Sequence, residues 1–439
     1  TQAKTLFPYT TLFRSIVTTN IMTLVTPYIG VFSPDGAFLY LANNEGVLPG
    51  AVSVISVPTN NVIATIPTGV DPQNIAISPN GSKVYVANNA GGTVTVIDTA
   101  TNSVAATIAT GTQPQVLSVT PNGQRVYVPN FGSGTVSVID TSSNTVIKTI
   151  TVGTSPQFTA VSPDGARVYV SNAAQNTVSV IDTGSNTVIA TIPVGTTNPS
   201  NPRQIAITPD GSKVYVATDH VPGGGGYAII DPVSLTATSI PFPVGNPSTV
   251  TITPDGRYAY FVGGLTTDAY IVDTSTNLVV NHLNFSQRVL SIKFLPDGTF
   301  GYVNSTVSNV VYVINPASQT VVATITVGTS PFAAIFAPLP GPVTSLAGTA
   351  TSDRFLTQEE FVNILTWSAP QTGSSFIGYN IYRDAALTNL AGFVPASGPL
   401  QFQDHNLNKG WYYSYYVVAV DQEGHQSQTA ASIVLLAGP

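Results

Sequence analysis

Apolar and polar residues alternate in short runs along most of the chain, and the runs come in groups of four. In the unit formed by residues 73–110, the stretch 74–78 is a short apolar run ending at Pro79-Asn80-Gly81. Residues 83–87 read Lys-Val-Tyr-Val-Ala, 93–97 read Thr-Val-Thr-Val-Ile, and 104–108 close the unit. Each run has strand length and is rich in β-branched and aromatic residues. The first two flank a turn whose Pro fixes φ and whose Gly accepts a positive φ, so they form a hairpin. Between the third and fourth runs lies Asp98-Thr99-Ala100-Thr101-Asn102, where a carboxylate can accept backbone N–H groups and hold a turn. Four strands make one unit.

The unit repeats. Ser/Thr-Pro-Asp/Asn-Gly occurs at 33–36, 78–81, 120–123, 162–165, 208–211 and 253–256, with a near copy at 295–298; the prolines are spaced by 45, 42, 42, 46, 45 and 42 residues. A period of this size built from short strands predicts a β-propeller. The second strand recurs at Tyr40, Tyr85, Tyr127, Tyr169, Tyr215, Tyr260 and Tyr302, which gives seven blades. Residues 330–338 repeat the first strand an eighth time and 20–25 resemble a fourth strand with no blade before it, so these fragments are expected to pair across the seam. Two further strands lost from the N-terminus would make eight blades. The turn aspartate returns as Asp140, Asp182, Asp231 and Asp273, with Ser56 and Asn315 in the remaining units. Ser and Asn make the same local bond and cannot be the same acid or base, so the position is read as structural.

Tyr85-Val86-Ala87-Asn88, Tyr127-Val128-Pro129-Asn130 and Tyr169-Val170-Ser171-Asn172, each followed by Val-Ile-Asp-Thr, resemble the YVTN family of β-propeller repeats over about 27–340. The resemblance implies a seven-bladed propeller, exported or surface-layer associated, most often without assigned catalysis. From about 341 to 439 the character changes. Leu365-Thr366-Trp367 with Ser368-Ala369-Pro370, then Tyr379-Asn380-Ile381-Tyr382-Arg383, then Tyr413 ahead of Val418-Ala419-Val420-Asp421 and Gly424, resemble a fibronectin type III domain. That likeness implies an immunoglobulin-like β-sandwich with Trp367 in its core and Tyr413 at its corner. The expected organisation is therefore all-β: residues 16–340 a propeller and 341–439 a sandwich, joined by the stiff Leu339-Pro340-Gly341-Pro342. Residues 5–15 resemble a translated sequencing-library adapter, so 1–15 are set aside as an artefact and the true N-terminus, with any signal peptide, is expected to be missing.

Composition narrows the function classes. Charged residues are 8 % of the chain, against about 25 % in an average domain, so solubility rests on Ser, Thr and Asn, as in secreted and cell-surface β proteins. An extracellular, cell-surface or periplasmic location is expected. The net charge is −7 and no Lys/Arg cluster occurs, which leaves nothing to hold a nucleic-acid backbone. Cysteine is absent, removing disulfides, thiolate catalysis and Cys-ligated metal. No apolar run reaches the 18 or so residues of a membrane-spanning helix.

Candidate chemistry sits where the loops between second and third strands, and those between units, gather at the propeller mouth. The inter-unit loops offer Gln73, Gln115, Gln157, Arg203, Gln204 and Arg288; the others offer Asn43, Asn44, Asn88, Asn89, Asn130, Asn172 and Asn304, with Asp219 and His220 on an inserted loop. Gln73, Gln115, Gln157 and Gln204 are taken as equivalent, either bracing neighbouring blades or presenting amides to a ligand. Amides suit a glycan or peptide better than acid–base chemistry. Lys83, Arg125, Arg167 and Lys213 are expected beside the turn aspartates as exposed charge partners. Neither a metal site nor a cofactor is expected: the propeller part holds two histidines, and no phosphate cradle or paired-carboxylate motif stands out. The reading is a non-enzymatic binding, adhesion or scaffold protein with a protein or glycan partner and an undetermined oligomeric state. Its rivals are an exported lactonase-like or dehydrogenase-like propeller enzyme, which requires Arg203, Asp219, His220 and Arg288 to converge, and a surface-layer component.

Overall fold

The computed structural model describes residues 27–326 and 344–436, apart from 45–47, 58, 60, 196–200, 220–224, 264–266, 306–309, 356–357, 371–375, 385–386, 388, 399, 408–411, 422–425 and 428–429. Among these the chain is all-β and forms no helix. Its contacts divide it into a larger unit, mainly Phe38–Phe336, and a second unit, mainly Ala337–Pro439.

The larger unit contains seven antiparallel four-stranded sheets, here numbered 1 to 7, spanning 27–70, 72–109, 118–151, 156–193, 202–241, 249–284 and 291–326. In each, the strands lie in chain order, because every connection within a sheet is a hairpin. The Pro-Asp/Asn-Gly hairpins close as the sequence requires: Gly81, at φ 73°, donates to Ser78 O at 2.8 Å, and Lys83 N donates to Ser78 Oγ at 3.0 Å. The third hairpin closes on the turn aspartate, with Ala100 N and Thr101 N both donating to Asp98 Oδ1 at 3.0 Å and Asn102 adopting φ 49°. The same left-handed place falls on Asn144, Asn186, Leu235, Asn277 and Gln319. Just after this turn the fourth strand of most sheets slips register by one residue, leaving Ile63, Ala105, Ile147, Ile189, Val280 and Val322 as bulges. Such bulges kink an outer edge and blunt its capacity to pair with another chain.

Side chains from both faces of each inner strand pair fill the space between consecutive sheets, which is why strands such as Val84-Tyr85-Val86 are continuously apolar rather than alternating. Six cores follow one another, from Tyr40, Val52, Val54, Val84 and Val86 between sheets 1 and 2 to Val262, Ile271, Val303 and Ile314 between sheets 6 and 7. The first strands stand side by side: Val116 bridges Phe158 in parallel, through Val116 N to Gln157 O at 3.2 Å and Thr159 N to Val116 O at 3.3 Å. The segments expected at the seam, 20–25 and 330–338, lie outside the described residues.

The second unit has two facing sheets. Thr344–Phe355, Gln358–Ser368 and Gln401–Leu407 form one; Leu390–Pro395, Phe376–Tyr382, Tyr412–Asp421 and Ala431–Leu436, in that order, form the other. Their core joins Leu365, Trp367, Tyr379, Ile381, Val394, Tyr415, Val417 and Ala419. Trp367 is buried and meets Tyr379 edge-on at 5.2 Å. Tyr413 is only partly buried; the fully buried tyrosine of its strand is Tyr415, whose hydroxyl donates to Asp404 Oδ2 at 2.7 Å while Asp404 pairs with Arg383.

Candidate functional site: one end of the sheet array

The loop before each first strand and the loop after each second strand meet at one end of the sheets. Asn89 N donates to Asp71 O at 2.8 Å, Phe131 N to Gln113 O at 3.0 Å, Ala173 N to Ser155 O at 3.0 Å and Asp219 N to Asn201 O at 3.2 Å. The accepting residues all take a left-handed φ, at 59°, 55°, 56° and 33°, immediately before a proline. Pro disfavours the right-handed helical region for the residue preceding it, and the left-handed turn aims the carbonyl at the neighbouring loop. This repeated clasp fixes the side chains that the sequence places at the mouth.

Two polar clusters result. Near sheets 1 and 2, Asp71 accepts from Asn44 Nδ2 at 2.7 Å and from Gln73 Nε2 at 3.2 and 3.0 Å to its two oxygens. Burial, and next the Asp71 carboxylate, push the Tyr28 hydroxyl above the ordinary tyrosine range. At sheets 4 and 5, Arg203 Nη1 donates to Gln157 Oε1 at 2.9 Å and Nη2 pairs with Asp219 Oδ2 at 3.3 Å. Arg203 Nε and Asp219 Oδ1 are enclosed and have no hydrogen-bond partner among the described residues. Gln157 thus braces two sheets, whereas Gln115 is tied through its backbone, donating to Pro129 O at 2.9 Å.

Several expectations need correction. Gln204 is not equivalent to Gln73, Gln115 and Gln157: those follow Pro72, Pro114 and Pro156, and the residue following Pro202 is Arg203. Gln204 instead donates its backbone N–H to Ser248 O at 3.4 Å, as Val116 does toward Gln157 O. Arg288 is exposed and is held through its carbonyl, which accepts from Ser305 Oγ at 2.7 Å. His220 lies outside the described residues. The convergence of four residues required by an enzyme reading is therefore seen for Arg203 and Asp219.

Nor do the strand-ending asparagines face a ligand. Asn43, Asn88, Asn130, Asn172 and Asn304 are fully buried. Asn130 Nδ2 donates to Thr135 Oγ1 at 3.1 Å and Ser137 Oγ at 3.0 Å, and Asn88 and Asn172 repeat the pattern. The amide fills the space left by a glycine: a Cβ on Gly111 would stand 2.7 Å from Asn130 Cβ and Cγ. Gly111→Ala is expected to cost about 1–3 kcal/mol, measured by urea denaturation against a surface control such as Ser143→Ala; a cost near zero would show that the two loops are not packed this closely.

At the opposite end, the strand-leading bases divide. Arg125 pairs with Asp140 of its own sheet, as expected. Lys83, Arg167 and Lys213 reach instead to the next sheet's turn, bonding Thr141 O and Asn144 Oδ1, Pro232 O, and Thr274 O and Asn277 Oδ1. These are sheet-to-sheet ties. On the outer strands of sheet 6, His282 Nε2 lies 2.7 Å from Asp268 Oδ1, which also accepts from Asn284 Nδ2 at 3.0 Å, and the imidazole stacks on Tyr270. The strand register alone brings this pair together. Among the described residues no three His, Cys, Asp or Glu side chains are placed to hold a metal, and no helix is long and apolar enough to cross a membrane.

Comparison with known proteins agrees with this architecture. Residues 31–201 match the Choice-of-anchor I domain. Among solved structures, Kuenenia stuttgartiensis hydrazine synthase aligns over 67 % of this chain and 98 % of its own, at 23 % identity and a TM-score of 0.55. The dihydro-heme d1 dehydrogenase NirN, in complex with DHE, aligns over 70 % of this chain and 68 % of its own, at 19 % identity and a TM-score of 0.59. A Bacteroides uniformis protein described as a candidate 6-phosphogluconolactonase aligns over 60 % and 88 %, at 20 % identity and a TM-score of 0.50. Among curated proteins none matches. At these identities the likeness speaks for the fold, an all-β propeller-like array of four-stranded sheets.

Proposed function

We propose that the chain is an exported, non-enzymatic binding or adhesion protein: a seven-bladed, YVTN-type propeller over 16–340 presents its loop end to a protein or glycan, and a fibronectin type III-like sandwich over 341–439 spaces or anchors it. The observation that carries this reading is how the ionisable groups at the loop end are spent. Asp71 is occupied by two amides, and Arg203 by Gln157 and Asp219. Groups that hold one another in this way, with Arg203 Nε and Asp219 Oδ1 left for a further hydrogen-bond partner, suit hydrogen-bonded recognition better than proton exchange with a substrate. The surface location is supported by the low charge content and by the likeness of 31–201 to a domain named for its anchor. The sandwich assignment is supported by two facing sheets of three and four strands with Trp367 between them.

A second reading keeps the enzyme: the named activities of the structural relatives, together with the Arg203 and Asp219 contact at 3.3 Å, favour a hydrolase or dehydrogenase site at the same place. One experiment separates the two. Purified protein is screened on glycan and peptide arrays and, in parallel, for lactone hydrolysis, using the wild type, Gln115→Ala/Gln157→Ala and Asp219→Asn. The binding reading expects array binding that weakens about tenfold in the double glutamine variant and no turnover. Turnover abolished by Asp219→Asn would replace it with the enzyme reading, and array binding unaffected by the glutamine changes would remove the loop end from consideration.

A further inference from the structure

In the sheets that carry Gln73 and Gln157, the first strand gains a residue over its partner just after the proline. Pro72 lies opposite Asn88 and Asn74 opposite Ala87; Pro156 lies opposite Asn172 and Phe158 opposite Ser171. Gln73 and Gln157 are the extra residues. In sheet 5 the register shifts between Pro202 and Ile205, across Arg203. A bulge takes a residue out of the ladder and re-aims its side chain. Gln73, Gln157 and Arg203, with Gln115 after Pro114, are all partly exposed at the loop end.

The charged neighbours decide which way the glutamines turn. A carboxylate only accepts hydrogen bonds and a guanidinium only donates them. Gln73 therefore gives Nε2 to Asp71, at 3.2 and 3.0 Å, and keeps its Oε1 as a spare acceptor. Gln157 gives Oε1 to Arg203 Nη1, at 2.9 Å, and keeps its Nε2 as a spare donor. Gln115, between them in the chain, is held by its backbone N–H.

The two ends of this row also differ in charge. Arg203 is neutralised by Asp219 at 3.3 Å, whereas Asp71 meets the amides of Asn44 and Gln73 and pairs with no Lys, Arg or His among the described residues. An acceptor pole with a net negative charge thus lies near sheets 1 and 2, and a donor pole without net charge at sheets 4 and 5. The first strands of sheets 3 and 4 bridge in parallel, and sheet 3 is joined to sheet 2 through Leu117 N and Asn74 Oδ1 at 3.2 Å. At ordinary strand spacing the two poles stand on the order of 10 Å apart, the length of about three extended residues.

A hydroxyl both donates and accepts, so a glycan matches either pole equally. A peptide does not: its terminal ammonium only donates and its carbonyls only accept. We propose that the loop end recognises a short peptide by its free amino terminus, the α-ammonium meeting Asp71 and Gln73 Oε1 and a backbone carbonyl further along meeting Gln157 Nε2. This rests on the binding reading above and narrows its partner to a free peptide end.

The test is titration calorimetry of the full chain with trialanine, N-acetyl-trialanine, trialanine amide and chitotriose. The wild type is expected to bind trialanine, and acetylation, which removes the ammonium, should weaken binding about tenfold. Amidation of the carboxyl end should change it little, because the donor pole has no net charge. Asp71→Asn should weaken trialanine about tenfold and leave N-acetyl-trialanine unaffected, a difference that a general disturbance of the fold would not produce. Gln157→Glu still pairs with Arg203 but exchanges the spare donor for an acceptor, and should weaken both peptides. Binding of trialanine that is indifferent to acetylation and to Asp71→Asn, or binding of chitotriose in its place, would overturn this inference and leave the loop end a binding surface. Array binding with no response to trialanine would overturn it likewise, whereas silence on the arrays as well would remove the reading on which it rests.

Discussion

Tyr215→Ala should destabilise the larger unit by about 3–5 kcal/mol, the usual cost of deleting a fully buried aromatic ring. Tyr215 has no exposed surface, meets Phe261 edge-on at 6.3 Å within the core between sheets 5 and 6, and sends its hydroxyl to Asn277 Oδ1 at 2.8 Å on the next sheet's turn. The repeat offers an internal control. The Tyr85 hydroxyl is equally buried but has no hydrogen-bond partner among the described residues, and burial pushes it up to about 12. Tyr215→Phe should therefore cost about 1 kcal/mol, while Tyr85→Phe should be neutral or stabilising, because removing an orphaned buried hydroxyl removes its desolvation cost. Urea denaturation of the three variants decides it; equal costs for the two Tyr→Phe changes would show that the hydroxyls have the same surroundings.

Acid should weaken the sheet array through its turn aspartates. Asp98, Asp182 and Asp231 are held below the usual carboxylate range chiefly by backbone N–H groups of the turn, and Asp140 and Asp273 chiefly by the Ser142 and Ser275 hydroxyls with backbone N–H groups next. A carboxylate depressed in the folded state contributes stability above its unfolded pKa of about 3.9, and that contribution is lost as pH falls through the folded value. The melting temperature should hold level above about pH 5 and drop progressively below pH 4. Asn315 shows that an amide serves the same turn, accepting from Ala317 N at 2.9 Å. Replacing all five aspartates with asparagine should therefore make the acid limb shallower, the remainder coming from Asp164 and Asp210 of the Pro-Asp-Gly hairpins, while preserving the fold near neutrality. Parallel melting profiles for variant and wild type between pH 3 and 6 would locate the acid sensitivity elsewhere.

Much of the local structure could be read in advance because it is encoded within a few residues. The hairpin at Pro79-Asn80-Gly81 and the turn at Asp98 need only a restricted φ, a permissive φ and an acceptor close to its donors. The division of the bases was beyond that reach. Arg125 and Lys83 begin equivalent strands, yet one pairs within its sheet and the other with the next, a difference set by the neighbouring turn rather than by the local pattern. The asparagines ending the second strands looked like mouth residues because they border a loop. Only the close approach of Gly69 and Gly111 from adjoining loops buries Asn88 and Asn130. Likewise, counting from the wrong glutamine placed Gln204 where the proline register puts Arg203.

By itself, the order of residues determined that this chain is all-β, how its strands group into fours, and which turns join them, since period-two patterning, proline and glycine act over distances of a few residues. The tertiary structure decided which polar groups are free. It buried the asparagines and tied Arg203 to Gln157 and Asp219. The physical reason is that desolvation and hydrogen-bond satisfaction belong to the space between sheets, which residues more than 40 positions apart create together.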